Sequence, residues 1–371
     1  MLLQKLRCAH FKNYTAVEIP FAEQLNLIIG SNGAGKTTLL DAIHYLSLTK
    51  SAFNTTDSHS IQHGQTAFAV EGSFVQQDKS CTVQCSFQKS KGKLIKKDGK
   101  PYDKLRDHVG CFPVVLATPY DMDLIRGGSE VRRKFFDGIL CQLDGAYLNS
   151  LLKYHTLLKQ RNSLLRTYKD AGQLNKDLLA IYDQQLLPLC QEIFTARNRL
   201  IQDFAPIFQT HYQYFVDATE EVQLYYESAV AESNFEQKFC SSLPQDLILQ
   251  RTTQGVHRDE VHFVLNDHSL KKIGSQGQQK SFTLALRFAQ FDYMHRALQR
   301  KPLLLLDDIF DKLDAQRINK LVQLMAQQHF GQVFMTDAKG TSNAVLMQQG
   351  GVDQALIEIE KGKDVAFRKM C

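Results

Sequence analysis

Leu25-Asn26-Leu27-Ile28-Ile29, then Gly30-Ser31-Asn32-Gly33-Ala34-Gly35-Lys36-Thr37, then Thr38-Leu39-Leu40-Asp41-Ala42-Ile43, follow one another near the start of the chain. The first five are mostly branched and apolar and predict a buried strand. The middle eight fit G-x-x-x-x-G-K-[ST], and the last six open a helix. A phosphate-binding loop needs this strand–loop–helix setting. Its glycines let the backbone wrap an anion with N–H groups facing inward. The helix starting near Lys36 aims the positive end of its dipole at the same anion. Gly30, Ser31, Asn32, Gly33, Ala34, Gly35, Lys36, Thr37 and Thr38 are therefore the expected nucleotide-binding residues. Lys36 supplies a positive charge to the β- and γ-phosphates, and the Thr37 hydroxyl can ligate Mg²⁺.

The 371 residues exceed one typical domain and predict an ATPase core carrying an inserted subdomain. A net charge of +5 and a pI of about 8.6 are compatible with a nucleic-acid partner without being diagnostic of one. The eight cysteines form no C-x-x-C pair, which argues for reduced, mostly buried thiols rather than a zinc site. The first residues lack the apolar core of a signal peptide, and no apolar run approaches the ~20 residues that cross a bilayer. A soluble, cytoplasmic protein without a membrane partner is the expectation.

Before the loop, Leu2 to Ile19 reads as a hairpin turning at Lys12-Asn13-Tyr14. After it, the polar stretch Thr49 to Gln65 reads as an exposed loop, with His44, His59 and His63 as scattered surface histidines. Residues 67–102 alternate as antiparallel strands, with Asp98-Gly99 as a hairpin signal. Between Lys89 and Arg106, eight basic residues face only Asp98 and Asp103. Such a strip is either a solvated strand edge or a contact for a phosphate backbone. From Arg132-Arg133-Lys134 to Phe215 the apolar spacing is helical, with Pro188 as an expected kink or break. Arg161, Arg166, Arg197 and Arg199 read as polar faces of these helices. The segment is too short for a long arm and predicts a compact helical lobe.

A second anion-binding helix start is expected at Ser275-Gln276-Gly277-Gln278-Gln279-Lys280. Pro302-Leu303-Leu304-Leu305-Leu306-Asp307-Asp308 predicts a buried parallel strand ending at a ligand site. Asp307 is placed to hold Mg²⁺ through water, and Asp308 to orient or deprotonate the attacking water. A last strand ends at Thr336-Asp337, and the chain closes with a strand and a basic tail.

The phosphate loop, Ser275-Gln276-Gly277-Gln278-Gln279, the four leucines with Asp307-Asp308, and Asp311-Lys312-Leu313-Asp314, in that order, resemble the ABC-type ATPase superfamily. Phe11-Lys12-Asn13-Tyr14, Thr118-Pro119-Tyr120-Asp121, Arg132-Arg133-Lys134-Phe135-Phe136-Asp137 and Gly255-Val256-His257-Arg258-Asp259-Glu260 are similar to stretches of the RecF family. Val256 stands where that family usually has Pro, Asp308 where most ABC ATPases carry Glu, and Thr336 where transporters have a switch His. The resemblance implies an α/β ABC-type ATPase head, with a mixed sheet carrying the phosphate loop, an antiparallel β-subdomain and an inserted helical lobe. The expected divisions are 1–125, 126–245 and 246–371. It further implies ATP with Mg²⁺ held by Thr37 and Asp307, Asp308 and Lys36 in the catalytic roles, and slow, DNA-dependent hydrolysis. Ser275, Gly277 and Gln278 would meet the γ-phosphate from a second copy, giving an ATP-dependent head-to-tail homodimer. The implied partners are DNA at gaps and single–double-strand junctions, RecR, and RecO and RecA in the same pathway, with roles in replication restart and the SOS response. Lys93, Lys96, Lys97, Arg132 and Arg133 are the candidate DNA contacts. A transporter-type ATPase subunit and an SMC-like structural ATPase are the competing readings.

Overall fold

The computed structural model describes residues 1–171, 175–216, 220–309, 314–337, 353–360 and 364–370. In chain order its strands and helices are β1 (Leu2–Phe11), β2 (Tyr14–Pro20), β3 (Leu25–Ile29), α1 (Lys36–Leu48), β4 (Ala67–Gln76), β5 (Lys79–Gln88), β6 (Gly92–Lys97), β7 (Lys100–Pro101) and β8 (Val114–Ala117). There follow α2 (Asp123–Arg126), α3 (Ser129–Leu143), α4 (Gly145–Ala171), α5 (Lys176–Phe215), β9 (Val222–Glu227), α6 (Phe235–Ser241), α7 (Leu243–Leu249), β10 (Glu260–Leu265), β11 (His268–Ser269), α8 (Leu270–Ile273) and α9 (Gln276–Leu298). The last are β12 (Leu303–Leu306), α10 (Ala315–Ala326), β13 (Val333–Asp337), β14 (Gln354–Glu360) and β15 (Asp364–Met370). The chain divides into two units, Met1–Asp121 with Leu284–Cys371, and Met122–Thr283.

The first unit holds two six-stranded sheets. One is antiparallel, in the order β2-β1-β4-β5-β6-β7, and contains the hairpin that turns at Lys12-Asn13. The other runs β15-β14-β3-β13-β12-β8 and is parallel except for its last pair, β14 with β15. The strands β3, β8 and β12 are buried at every residue, as parallel strands covered on both faces must be. Helix α1 is buried nearly all round, the apolar Leu39, Leu40, Ala42, Ile43, Tyr45 and Leu46 together with the polar Asp41, His44 and Ser47. It shares one core with Leu6, Phe11, Val70 and Phe74 of the antiparallel sheet and Leu303, Leu305 and Phe334 of the parallel one.

Register is what this packing delivers to the site. Leu306 pairs with Met335, Met335 with Leu27, and Leu306 with Ala117. By the same register β3 and β13 end level, Ile29 against Asp337, and β12 ends two residues short of them, so Asp307 and Asp308 emerge beside the last residues of β13.

The second unit carries a three-stranded antiparallel sheet, β11-β10-β9, and the helices α2 to α8. α5 is 40 residues long, which at 1.5 Å per residue is roughly 60 Å. It runs through Pro188 and Pro206 without the expected break. Each proline costs about 3 kcal/mol in a helix interior. Burying Leu186, Leu189, Ile193, Leu200, Ile201, Phe204, Ile207 and Phe208 on one face returns about 1.5–3 kcal/mol per side chain and outweighs them.

The arginines correct the sequence reading most sharply. The buried stripe of α4 is Tyr147, Leu151, Tyr154, Leu157, Arg161 and Leu165, so Arg161 faces the core and not solvent. Its guanidinium bonds Asp183 (2.6 Å), Asp246 (2.6 Å) and the Thr252 hydroxyl (2.9 Å). Arg197 of α5 is equally enclosed. It reaches Asp137 through two nitrogens (2.8 and 2.9 Å), the Val256 carbonyl (2.7 Å) and Asp259 (3.2 Å). Arg199 stays on the polar face, paired loosely with Asp203. The basic tail is likewise a strand, β15, paired with β14.

Removing one partner from a buried pair leaves the other charge uncompensated. Arg161→Met is expected to lower unfolding free energy by about 3–5 kcal/mol, and Arg161→Met with Asp246→Asn to recover a large part of that. Denaturant unfolding of the two variants and the parent checks this.

Candidate functional site

The loop between β3 and α1 is shaped by two glycines that no other residue could replace. Gly30 has φ 154°, and a Cβ there would stand 2.4 Å from the Ile359 carbonyl oxygen. Gly35 has φ 121°, and a Cβ would stand 2.5 Å from Asn13 Nδ2. That second approach has a purpose. Asn13 donates to the Ala34 carbonyl (3.1 Å), and the Tyr14 hydroxyl to the Gly35 carbonyl (3.1 Å). A peptide plane points its N–H opposite to its C=O. Holding those two carbonyls toward the hairpin therefore turns the N–H groups of Gly35 and Lys36 away from it. The hairpin expected from the sequence is present, and its turn also holds the phosphate loop.

Thr37, Asp307, Asp308 and Thr336 meet where the sheet strands end. The Thr37 hydroxyl donates to Asp307 (2.9 and 3.1 Å to its two oxygens), and the Thr336 hydroxyl donates to Asp307 Oδ1 (2.8 Å). Burial raises the Asp307 carboxyl above its ordinary range, opposed by these hydroxyls and by Lys36. Asp308 has a left-handed backbone, φ 43°. Its N–H donates to the Thr336 hydroxyl (2.8 Å), and its Oδ1 is buried without a hydrogen-bond partner among the described residues. Lys36 folds back on the Gly30 and Ser31 carbonyls (2.8 and 3.3 Å). Lys12, Asn13, Asn32, Gly33, Gly35, Lys36, Thr37, Thr38 and Asp308 line a cleft of about 500 Å³.

These donors suit a triphosphate and a hard cation. Lys36 and outward N–H groups match phosphate oxygens. The Thr37 and Asp307 oxygens lie 2.9 Å apart, the spacing of neighbouring ligands around Mg²⁺ with bonds of about 2.0–2.1 Å. Asp311, Lys312 and Leu313 of the expected motif lie outside the described residues. Asp314 caps α10 by accepting from the Arg317 N–H (2.9 Å).

Three features of this site lay beyond sequence reasoning: the roles of Asn13 and Tyr14, the double bond of Thr336, and a buried hub at Asp41. Asp41 is fully enclosed and accepts from Ser51 (2.7 Å), the Ala52 N–H (2.7 Å) and the Lys12 ammonium (2.5 Å). The loop 49–65 is consequently tied down rather than loose, with Ser51 and Ser60 buried. His44 is no surface histidine either. It sits buried on α1 beside Asp41, bonded to the Lys50 carbonyl (3.0 Å), and burial pushes it down to about 4. His59 and His63 are exposed, as expected.

Among the candidate DNA contacts, Lys93 bonds Asp57 (2.9 Å) and the Thr49 carbonyl (2.6 Å). Lys97 lies over the Phe112 ring (5.8 Å), and Lys96 is half-buried on β6. Lys89, Lys91, Lys100 and Lys104 are exposed. In the second unit Arg132 makes a two-pronged pair with Glu260 (2.7 and 2.9 Å) and also caps the Leu124 and Gly127 carbonyls. Arg133 donates to the Asp259 carbonyl (2.6 Å). In the same unit, Ser275 and Gln278 form a reciprocal cap at the start of α9. The Ser275 N–H donates to Gln278 Oε1 (2.7 Å) and the Gln278 N–H to Ser275 Oγ (3.2 Å). Gly277 follows in the first turn, and Ser275 is exposed.

Comparison with known proteins places this geometry in a family. The AAA domain profile matches residues 5–329. The chain is 41% identical to the DNA replication and repair protein RecF of Cytophaga hutchinsonii, over 98% of this chain and 96% of that one. It is 39% identical to RecF of Parabacteroides distasonis, over 98% of each. A solved structure of the recombination mediator protein RecF-ATP in the RecFOR pathway superposes with a TM-score of 0.88 at 27% identity, covering 100% of this chain and 98% of that one. An SmcHead structure bound to the C-terminal winged-helix domain of ScpA shares the fold, with a TM-score of 0.61 at 14% identity. No described helix is long and apolar enough to cross a membrane.

His44 provides a pH test. Its imidazole is neutral when folded and titrates near 6.5 when unfolded, so the unfolded state takes up the proton first. The associated stability is complete above pH 6.5 and declines as pH falls toward 4. Stability measured across that range is expected to fall less steeply in His44→Asn, whose amide keeps the donor to Lys50. An imidazole NMR titration of the parent should place the His44 midpoint near 4.

Proposed function

The chain belongs to the RecF family of DNA replication and repair proteins, and on that premise we propose that it is an ATP-switched, DNA-binding recombination mediator. The observation that carries this is the register of β3, β12 and β13. It brings Asp307 against Thr37 of the phosphate loop and sets Asp308, whose Oδ1 is buried without a hydrogen-bond partner among the described residues, in the lining of the same cleft as the loop. In this reading Gly30 to Thr38 hold the phosphates of ATP, with Lys36 unfolding from its carbonyls onto them. Thr37 and Asp307 would hold Mg²⁺, which when bound neutralises phosphate charge. Asp308 would take a hydrogen bond from the attacking water and turn it toward the γ-phosphate.

Ser275, Gly277 and Gln278 would serve the nucleotide of a second copy, so that ATP joins two chains and hydrolysis releases them. A clamp of this kind would bind DNA at gaps and single–double-strand junctions and work with RecR, RecO and RecA in the cytoplasm. Slow turnover suits a switch better than a motor. The likeness to an SMC head concerns the fold, and the second unit's helices are too short for an SMC-type arm.

Lys36→Ala is expected to abolish ATP binding and ATP-dependent dimerisation, whereas Asp308→Asn should bind ATP and remain dimeric. Equilibrium binding with a fluorescent ATP analogue and sedimentation with ATP distinguish the two. A monomer in both variants would reject the dimer switch.

For DNA, the pairing of Arg132 and Lys93 with carboxylates directs attention to the other lysines of the strip. Replacing Lys96 and Lys97 by Ala should weaken duplex binding and lower its salt slope by about 0.9 for each phosphate no longer neutralised. Lys93→Ala should instead lower the melting temperature. An unchanged slope would assign Lys96 and Lys97 to the solvated edge of the sheet.

A further inference from the structure

The role of Thr336 can be read from its position. It is fully buried near the end of β13, one strand away from the end of β12. Its single hydroxyl accepts the Asp308 N–H and donates to Asp307 Oδ1, each at 2.8 Å. A hydroxyl has one proton to give and lone pairs to accept with, so both bonds form together and fix its rotamer. Asp308 gains most from this. Its backbone is left-handed, a conformation that side-chain-bearing residues keep only when their surroundings impose it. Its Oδ1 is buried without any hydrogen-bond partner among the described residues, and Asp308 lines the cleft. The carboxylate is aimed by its backbone, and the backbone N–H is tied to Thr336.

We propose that Thr336 is a positioning residue for ATP hydrolysis: its hydroxyl locks the backbone of Asp308 so that the Asp308 carboxylate is held toward the attacking water. This inference rests on the nucleotide reading above. It separates two functions within one cleft. The grip on the phosphates comes from Gly30 to Thr38, which Thr336 does not touch; Asp307, which it does touch, keeps its bond from Thr37 when the Thr336 hydroxyl is lost, and the aim of the Asp308 carboxylate comes from β13. Loss of the Thr336 hydroxyl should therefore slow hydrolysis and leave ATP affinity in place.

Thr336→Ser keeps the hydroxyl, while Thr336→Ala and Thr336→Val remove it. Hydrogen–deuterium exchange of a peptide spanning Leu304–Ile309, measured without nucleotide, reads the lock directly. The Ser variant is expected to match the parent, and the Ala and Val variants to exchange about 10-fold faster at the Asp308 amide. ATP affinity should stay within about threefold in all three, while single-turnover hydrolysis falls about 100-fold in Ala and Val and not in Ser. Hydrolysis by the Ala variant at the Ser rate, or unaltered exchange in the Ala variant, overturns the proposal. If the Val variant does not fold, the Ser and Ala variants, which differ by one oxygen, decide the question. Failure of the nucleotide reading is seen separately, as ATP binding by Lys36→Ala equal to that of the parent; the exchange measurement then still decides whether Thr336 holds Asp308.

Discussion

A carboxylate buried at the end of an apolar strand is stable only if hydroxyl or N–H donors reach it. Asp307 is 3% exposed, and its donors come from Thr37 and from Thr336. Those residues belong to α1 and to β13, so one side chain ties together the first helix, the last parallel strands and the strand between them. The register of the sheet cannot slip without stranding that charge. The same contact places Thr37 and Asp307 at the spacing of metal ligands and leaves Asp308 facing the cleft. Structural demand and chemical use fall on one atom group.

The second unit repeats the logic with the charges reversed. Arg161 and Arg197 occupy core positions on helices, where apolar residues would normally sit; carboxylates meet both, with the Thr252 hydroxyl added at Arg161 and the Val256 carbonyl at Arg197. Arg197 joins Asp137, from the Arg132–Asp137 stretch, to Val256 and Asp259, from the Gly255–Glu260 stretch. Two motifs that looked separate along the chain are thus one hydrogen-bonded cluster. Tyr147 and Tyr226 add hydroxyls to it, and His257, kept neutral by burial, accepts from Tyr154 and donates to the Thr252 carbonyl. A buried charge network of this kind is sensitive to the loss of any member.

The elements themselves were legible wherever a single period governed them. Alternation located β4 to β6 and the turn at Asp98-Gly99, and the apolar runs located β3 and β12. The turn between β3 and α1 and the position of Asp307 and Asp308 just after β12 were legible because each is written in adjacent residues. What failed were inferences that treated a residue type as its own environment. Pro188 was expected to interrupt a helix that its neighbours' burial sustains. Arg161 and His44 were assigned to the surface from their polarity, yet each has a carboxylate partner distant in sequence or a carbonyl across a loop. Lys93 was grouped with a basic strip, and Asp57 takes it out of that group.

By itself, then, the sequence determined which segments are strands and helices, that a triphosphate loop is present, and which carboxylates follow the apolar strand, since local periodicity and adjacent side chains carry that information. Tertiary structure alone decided which charges are paired, how Asn13 and Tyr14 turn the loop's N–H groups, and that the Thr336 hydroxyl bonds both Asp307 and Asp308. Those outcomes depend on strand register and on contacts between residues up to some three hundred positions apart, such as Thr37 with Asp307, and no local pattern encodes them.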